Sequence, residues 1–303
     1  MRRVFLSLLV VVAIVGALLV GCGPAAAPTP EPKPTVAVKP TAVPPTAIPP
    51  TAVPTKMAQT LSLAGSTTVQ PLVEKLAAAY MAKNPGVEIT IQGGGSSVGV
   101  KSAGDGTVDI GTASREVKAS ELKEYPDLKV FTIARDGIAV VVNAAVPVNG
   151  ITKEQARDIF AGNITNWSEV GGPNRAIVVV SREEGSGTRA AFEELVMGAE
   201  GPSISEMALL QPSNGAVRTT VSTTPDSVGY LSFGYLDASV KALAVEGVES
   251  TVENALSGDY PVVRPLNMLT KGEPTGLAKA FLSFVLDSEG QRIVVHEGYL
   301  SVR

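Results

Sequence analysis

Cysteine, histidine and tryptophan each occur once in the 303 residues, and these scarcities close off several chemistries. With Cys22 alone, no intrachain disulfide can form. One cysteine and one histidine, His296, cannot supply a Cys/His metal cluster, so no metal and no cofactor is expected. His296 also falls in a C-terminal helical pattern, far in sequence from the serine-rich turns, and no Gly-x-Ser-x-Gly elbow is present. A serine hydrolase therefore has no visible machinery. Gly94-Gly95-Ser96-Ser97-Val98-Gly99-Val100-Lys101 approaches a nucleotide P-loop, but Val100 intervenes where lysine must follow the second glycine directly. Basic residues are not in excess: the formal charge is −4, and −4 − 2 = −6 once Arg2 and Arg3 are set aside. A nucleic-acid partner, which demands a basic face, is excluded on that balance. Asp105, Asp109, Glu183 and Glu184 are scattered as solvated or ion-paired carboxylates, and no acid–base catalysis is assigned to them.

Proline, by contrast, is concentrated in one place. Between Pro24 and Lys56 there are 11 prolines in 33 residues, a density that forbids both helix and central strand. The segment reads as a polyproline-like tether whose extended reach is on the order of 100 Å at about 3.1 Å per residue. Before it, two arginines lead an apolar run from Val4 to Val20, the layout of an export signal over residues 1–21. A transmembrane anchor is the alternative, although the run is short for one. Leu19-Val20-Gly21-Cys22 resembles a bacterial lipoprotein box, which makes Cys22 the expected site of lipidation.

From Thr60 onward, apolar extended runs alternate with helical periodicity. Thr60–Leu63, Val87–Ile91, Val108–Gly111, Ile177–Val180 and Val228–Leu231 read as strands. Helices are expected over Thr68–Lys83, with Val69, Leu72, Val73, Leu76 and Tyr80 on one face, from Ser96 through Lys101, over Thr152–Phe160, after Thr188, and over Asn214–Thr223. Leu128–Ile133 and Ile138–Val142 read as two runs separated by Arg135-Asp136-Gly137, and Pro261–Leu269 reads as extended. Two helices close the chain. Strands separated by helices imply an α/β class with parallel pairing.

Three strand-to-helix turns carry the chemistry: Ala64-Gly65-Ser66-Thr67-Thr68, Gly93-Gly94-Gly95-Ser96-Ser97 and Arg182-Glu183-Glu184-Gly185-Ser186-Gly187-Thr188. A helix start offers unpaired N–H groups and a positive dipole end, and serine and threonine add hydroxyl donors. Arg182 adds a permanent charge. Each turn alone is equally well a helix cap, with Arg182 paired to Glu184 at the surface. Three turns of one kind point to a single oxyanion held by all of them.

These turns, together with Ile110-Gly111-Thr112-Ala113-Ser114-Arg115, the stretch Ile151–Trp167 and Cys22, resemble the phosphate-binding lipoproteins of Pst-type ABC transporters over nearly all of Thr60–Arg303. The resemblance implies an α/β, two-lobed periplasmic-binding-protein fold of type II, a clamshell with two crossover strands. Lobe 1 would comprise residues 60–137 with 262–303, lobe 2 residues 138–261, and residues 22–59 the lipidated cysteine and tether. It implies no catalytic residue and no enzyme. The family site maps onto Thr67, the backbone at Thr68, Ser96, Arg182, Ser186, Gly187 and Thr188, and the adjoining Ser66, Ser97, Ser114 and Arg115 complete the candidate ligand contacts. Inorganic phosphate would pass to membrane-embedded ABC permease subunits from a monomer anchored at the outer face of the cytoplasmic membrane by lipid on Cys22. One departure bears on selectivity. Many members carry Ser-Asp where this chain has Ser114-Arg115, so the carboxylate that accepts a phosphate proton is missing and weaker exclusion of sulfate is expected. Another oxyanion, a phosphate ester and, less in keeping with the residues, phosphatase activity stay open as alternatives.

Overall fold

The computed structural model describes residues 59–198 and 200–303; the leader, Cys22 and the tether lie outside the described residues. In chain order the elements are β1 (Gln59–Gly65), α1 (Val69–Lys83), β2 (Val87–Gln92), α2 (Ser96–Asp105), β3 (Ile110–Ala113), α3 (Ala119–Glu124) and β4 (Leu128–Asn143). There follow β5 (Gly150–Ile151), α4 (Lys153–Ala161), β6 (Val178–Arg182), α5 (Gly187–Phe192), β7 (Leu209–Gln211), α6 (Asn214–Thr223) and β8 (Ser227–Ser232). The chain ends with β9 (Val240–Ala242), β10 (Ala244–Val245), α7 (Val252–Ser257), β11 (Val263–Lys271), α8 (Gly276–Val285) and α9 (Ser288–His296).

One sheet runs in the order β2-β1-β3-β11-β4-β8-β6-β7, with β9 also paired to β4. It divides along β4. Residues 128–137 of β4 pair with β11, whereas Ile138–Val142 pair with β8 and Val141–Asn143 with β9. The fold is therefore two-lobed, with β4 continuous through both lobes and the chain returning to the first lobe through Val262 into β11, where Ile138 N–H donates to the Val262 carbonyl at 2.9 Å.

Each lobe has its own core. In the first, the stripe Val69, Leu72, Val73, Leu76 and Tyr80 is buried as its spacing predicts, with Tyr80 edge-on to Phe281 of α8 at 5.4 Å between ring centroids. In the second, Tyr230 stacks on Phe192 at 4.1 Å and Phe160 closes the cluster edge-on at 4.7 Å from Phe192. Fully burying each such ring contributes about 1.5–3 kcal/mol. Trp167, wholly buried beside them, donates its indole N–H to the Asp226 carbonyl at 3.0 Å.

Three expectations are corrected. The sheet is mixed, because β11 runs antiparallel to both β3 and β4, and β4 antiparallel to β8. The two runs around Arg135-Asp136-Gly137 form one strand: all three residues pair with β11, and Gly137 is required because a Cβ there would meet the Phe233 ring at 2.4 Å. A glycine that reads as a turn is thus a packing glycine. Third, α2 continues to Asp105, and β3 starts at Ile110 instead of Val108.

Candidate functional site

The three Ser/Thr turns meet where the lobes face each other. Ser96 at the start of α2, Ser114 after β3, Thr68 before α1 and Thr188 in the first turn of α5 are all buried. Thr68 Oγ1 lies 3.1 Å from Thr188 Oγ1 across the lobes, and Ser96 Oγ lies 3.4 Å from Ser114 Oγ. Backbone joins them too, Ser97 N–H donating to the Gly185 carbonyl at 3.1 Å. Gly187 sits against the seryl pair so closely that a Cβ there would be 2.0 Å from Ser96 Oγ and 2.6 Å from Ser114 Oγ. No residue larger than glycine fits that approach. Ser186 caps α5, its Oγ accepting from Arg189 N–H at 3.2 Å.

Arg182 enters from the end of β6 and is 1% exposed. Its Nε donates to the Gln211 carbonyl at 3.0 Å, and its fork grips Glu183 through Nε–Oε2 at 3.0 Å and Nη2–Oε1 at 2.9 Å. Nη2 also reaches Thr67 Oγ1 in the other lobe at 3.4 Å. Among the described residues, Nη1 of Arg182 is a buried side-chain nitrogen without a hydrogen-bond partner. A buried cation with a spare donor beside a ring of hydroxyls suits an anion. The alternative of a surface pair with Glu184 is not what forms: the partner is Glu183, and Arg182 is interior.

The floor of the cleft holds a second guanidinium that motif reading does not reveal. Asp136 and Arg264 are register neighbours on β4 and β11, and both are buried. Arg264 donates to Asp136 Oδ2 from Nε at 3.1 Å and from Nη2 at 2.9 Å, and Ser232 Oγ donates to Oδ1 at 3.0 Å. Burial pushes the Asp136 carboxyl above the ordinary carboxylate range, against the pull of Arg264 and Ser232. The other side of Arg264 faces the hydroxyls, Nη2 lying 3.1 Å from Thr68 Oγ1 and Nη1 3.4 Å from Ser114 Oγ. Asn214, at the start of α6, donates from Nδ2 to Thr68 Oγ1 at 2.8 Å. Two tyrosines pin the first turn, Tyr235 OH donating to the Thr67 carbonyl at 2.6 Å and Tyr299 OH to the Thr68 carbonyl at 3.1 Å. The sequence does hold a faint signal for this floor: Asp136 and Arg264 are charges inside apolar extended runs, and a buried charge needs a partner.

Three candidate residues are placed around the cluster instead of in it. Ser66 Oγ accepts from the N–H groups of Thr68 and Val69 at 3.2 and 3.3 Å, capping α1. Arg115 spends its donors on Glu121 at 2.7 and 2.8 Å, on the Glu116 carbonyl at 2.8 Å and on Ser97 Oγ at 3.1 Å. Its guanidinium thus braces α3 to the start of α2, with Ser97 as its acceptor. Burial alone would raise Glu121, but the bonds from Arg115 and the Lys118 N–H hold its carboxyl below the ordinary value. Beside this brace lies a crevice of about 290 Å³ lined by Arg115, Lys118, Glu184 and Arg189 among others. Among the described residues no group of three or more His, Cys, Asp or Glu is placed to hold a metal ion, and no helix is long and apolar enough to cross a membrane.

A two-lobed α/β fold with an anion-suited cleft defines the class of solute-binding proteins, and comparison narrows it. The family model described as a PBP superfamily domain matches residues 49–289. The phosphate-binding protein PstS of Bacillus subtilis is 37% identical over 252 residues, covering 82% of each chain. Among solved structures, a putative phosphate ABC transporter substrate-binding protein of Clostridium perfringens with bound phosphate is 42% identical, with a TM-score of 0.77 over 81% of this chain and 100% of that one. An ABC-type phosphate transport receptor of Vibrio cholerae is 35% identical, with a TM-score of 0.67 over 79% of this chain and 99% of that one. The chain belongs to the PBP superfamily and, within it, to the substrate-binding proteins of Pst-type phosphate transporters. These are binding proteins and not enzymes.

Proposed function

We propose that this protein binds inorganic phosphate between its two lobes and delivers it to the membrane-embedded subunits of an ABC importer. The lobes would be residues 60–137 with 262–303 and residues 138–261. Thr67, Thr68, Ser96 and Ser114 on one side and Arg182, Ser186, Gly187 and Thr188 on the other are the proposed ligand contacts. Cys22 would carry the lipid that tethers a monomer to the outer face of the cytoplasmic membrane. The observation that carries this reading is the buried hydroxyl ring spanning both lobes beside Arg182, whose Nη1 has no partner among the described residues. Charge-assisted bonds contribute roughly 1.5–3 kcal/mol each, so a micromolar site at about −8 kcal/mol needs only several of them net of closure.

The carboxylates nearest the ring are already held, Asp136 by Arg264 and Glu183 by Arg182. Sulfate therefore meets donors and no free negative charge, which supports weak discrimination between the two anions. Competition calorimetry tests the reading against its rivals. Phosphate should bind one to one, sulfate should compete measurably, and glycerol phosphate should compete poorly, since hydroxyls that approach to 3.1 Å across the lobes have to close on the anion from both sides. Preference for the ester, or for molybdate over phosphate, would reassign the ligand.

A further inference from the structure

The direction of the hydrogen bonds in the hydroxyl ring is fixed from outside it. A hydroxyl has one proton to give and two lone pairs to receive. Thr68 Oγ1 receives Asn214 Nδ2 at 2.8 Å and Arg264 Nη2 at 3.1 Å. Neither nitrogen can accept, so both lone pairs are filled and the Thr68 proton has to leave toward Thr188 Oγ1, 3.1 Å away. Thr188 Oγ1 then receives Thr68 and, at 3.4 Å, the same Asn214 amide. Its own proton is thereby turned outward. The amide cannot flip to undo this, because Asn214 Oδ1 accepts the Ser232 N–H at 3.1 Å, and Ser232 is held in turn by Asp136. The seryl edge is different. Ser96 Oγ receives one N–H, from Ser114 at 2.9 Å, and Ser114 Oγ receives one, from Arg264 Nη1 at 3.4 Å. The two hydroxyls also bond each other at 3.4 Å, so whichever receives that bond is filled and the pair keeps one free lone pair between them.

We propose that Asn214 and Arg264 are specificity-determining residues that, acting through Thr68, turn the one threonyl proton left over, that of Thr188, toward the ligand, so that the threonyl edge offers a donor and no acceptor and a ligand O–H can be received only at the Ser96–Ser114 edge. The proposal rests on the phosphate reading above and adds to it which ionisation state the site selects. The locked edge suits the dianion, which carries one proton, over the monoanion, which carries two. Asn214 acts as a positioning residue here, through Thr68.

The test is phosphate calorimetry from pH 5 to 8.5 on the purified full-length protein, its Asn214→Leu variant and its Thr68→Ser variant. Leucine removes the amide without adding charge, and it frees lone pairs on both threonines. The expected result is that wild-type affinity rises with pH as the dianion grows, whereas Asn214→Leu loses about tenfold at pH 8 and much less at pH 5, flattening the profile. Thr68→Ser keeps the hydroxyl, so whatever affinity it retains should show the wild-type dependence on pH. A variant curve parallel to the wild type at every pH overturns the lock, since a merely structural defect scales all pH values alike. Should Asn214→Leu fail to fold, Thr68→Val removes the first link and must flatten the profile in the same way; a parallel curve from it overturns the lock equally. Wild-type protein that binds no phosphate at any pH instead sinks the functional reading itself, and the lock with it.

Discussion

Replacing Arg182 and replacing Arg115 should damage this protein in opposite ways. Both guanidiniums are buried, at 1% and 3% exposure, and both face carboxylates. They differ in what is left over. Arg115 has both Nη groups committed to Glu121, Glu116 and Ser97, whereas Arg182, among the described residues, keeps Nη1 without a partner near the hydroxyl ring. Arg182→Ala removes the charge facing the anion and leaves Glu183 behind it uncompensated. A loss of about 3–5 kcal/mol in binding follows, between roughly a hundredfold and a few thousandfold in affinity. Arg182→Lys keeps the charge without the fork and should fall between. Arg115→Ala should leave affinity within about threefold, while losing the brace costs about 2–3 kcal/mol of stability. For a folded part of this size that lowers Tm by roughly 5–10 °C. Phosphate calorimetry and a thermal melt on each variant read both quantities. Equal binding losses, or a larger one for Arg115→Ala, would show Arg115 to be the principal cation and refute the assignment.

Gly187→Ala should abolish tight binding while leaving each lobe folded, because its methyl would collide with Ser96 and Ser114 as the lobes meet; small-angle scattering with and without phosphate should show no compaction. Glu121→Gln tests the brace by pH. The folded carboxyl lies below its ordinary value of 4.5, so its stabilisation is present above that value and is lost as pH falls through the folded one. The Tm gap between wild type and variant should be constant well above 4.5 and should close only as pH falls through the lowered folded value; a gap that persists after the carboxylate is fully protonated would mean its charge is irrelevant. Cys22→Ser should release the protein from the membrane with its binding constant unchanged, whereas association that survives a salt wash would mark the apolar leader as a retained anchor.

Much of this was legible because local chemistry and global position agreed. The α1 stripe had helical spacing, and the Gly/Ser/Thr turns sat where an α/β strand meets its helix. What stayed hidden depended on pairing between distant residues. Asp136 and Arg264 are 128 positions apart and meet only because β4 and β11 lie in register. Asn214 looks like the opening of a short surface helix until its amide is seen against Thr68, 146 positions away. Arg115 enters the candidate site because it stands where the family pattern carries the aspartate of Ser-Asp, yet its guanidinium turns to Glu121 of α3, a partner that nothing in the local sequence announces. The run from Leu128 to Asn143 could not be read as one strand, because nothing local says that Gly137 is there for the Phe233 ring.

Native mass spectrometry of the gently purified protein tests the central claim most directly, since an anion sealed among Thr68, Thr188, Ser96 and Ser114 should survive purification. The account predicts that wild-type protein carries one phosphate per chain and that Arg182→Ala carries none. A wild-type chain that is bare even after incubation with excess phosphate, or one that retains phosphate equally in the variant, would contradict it.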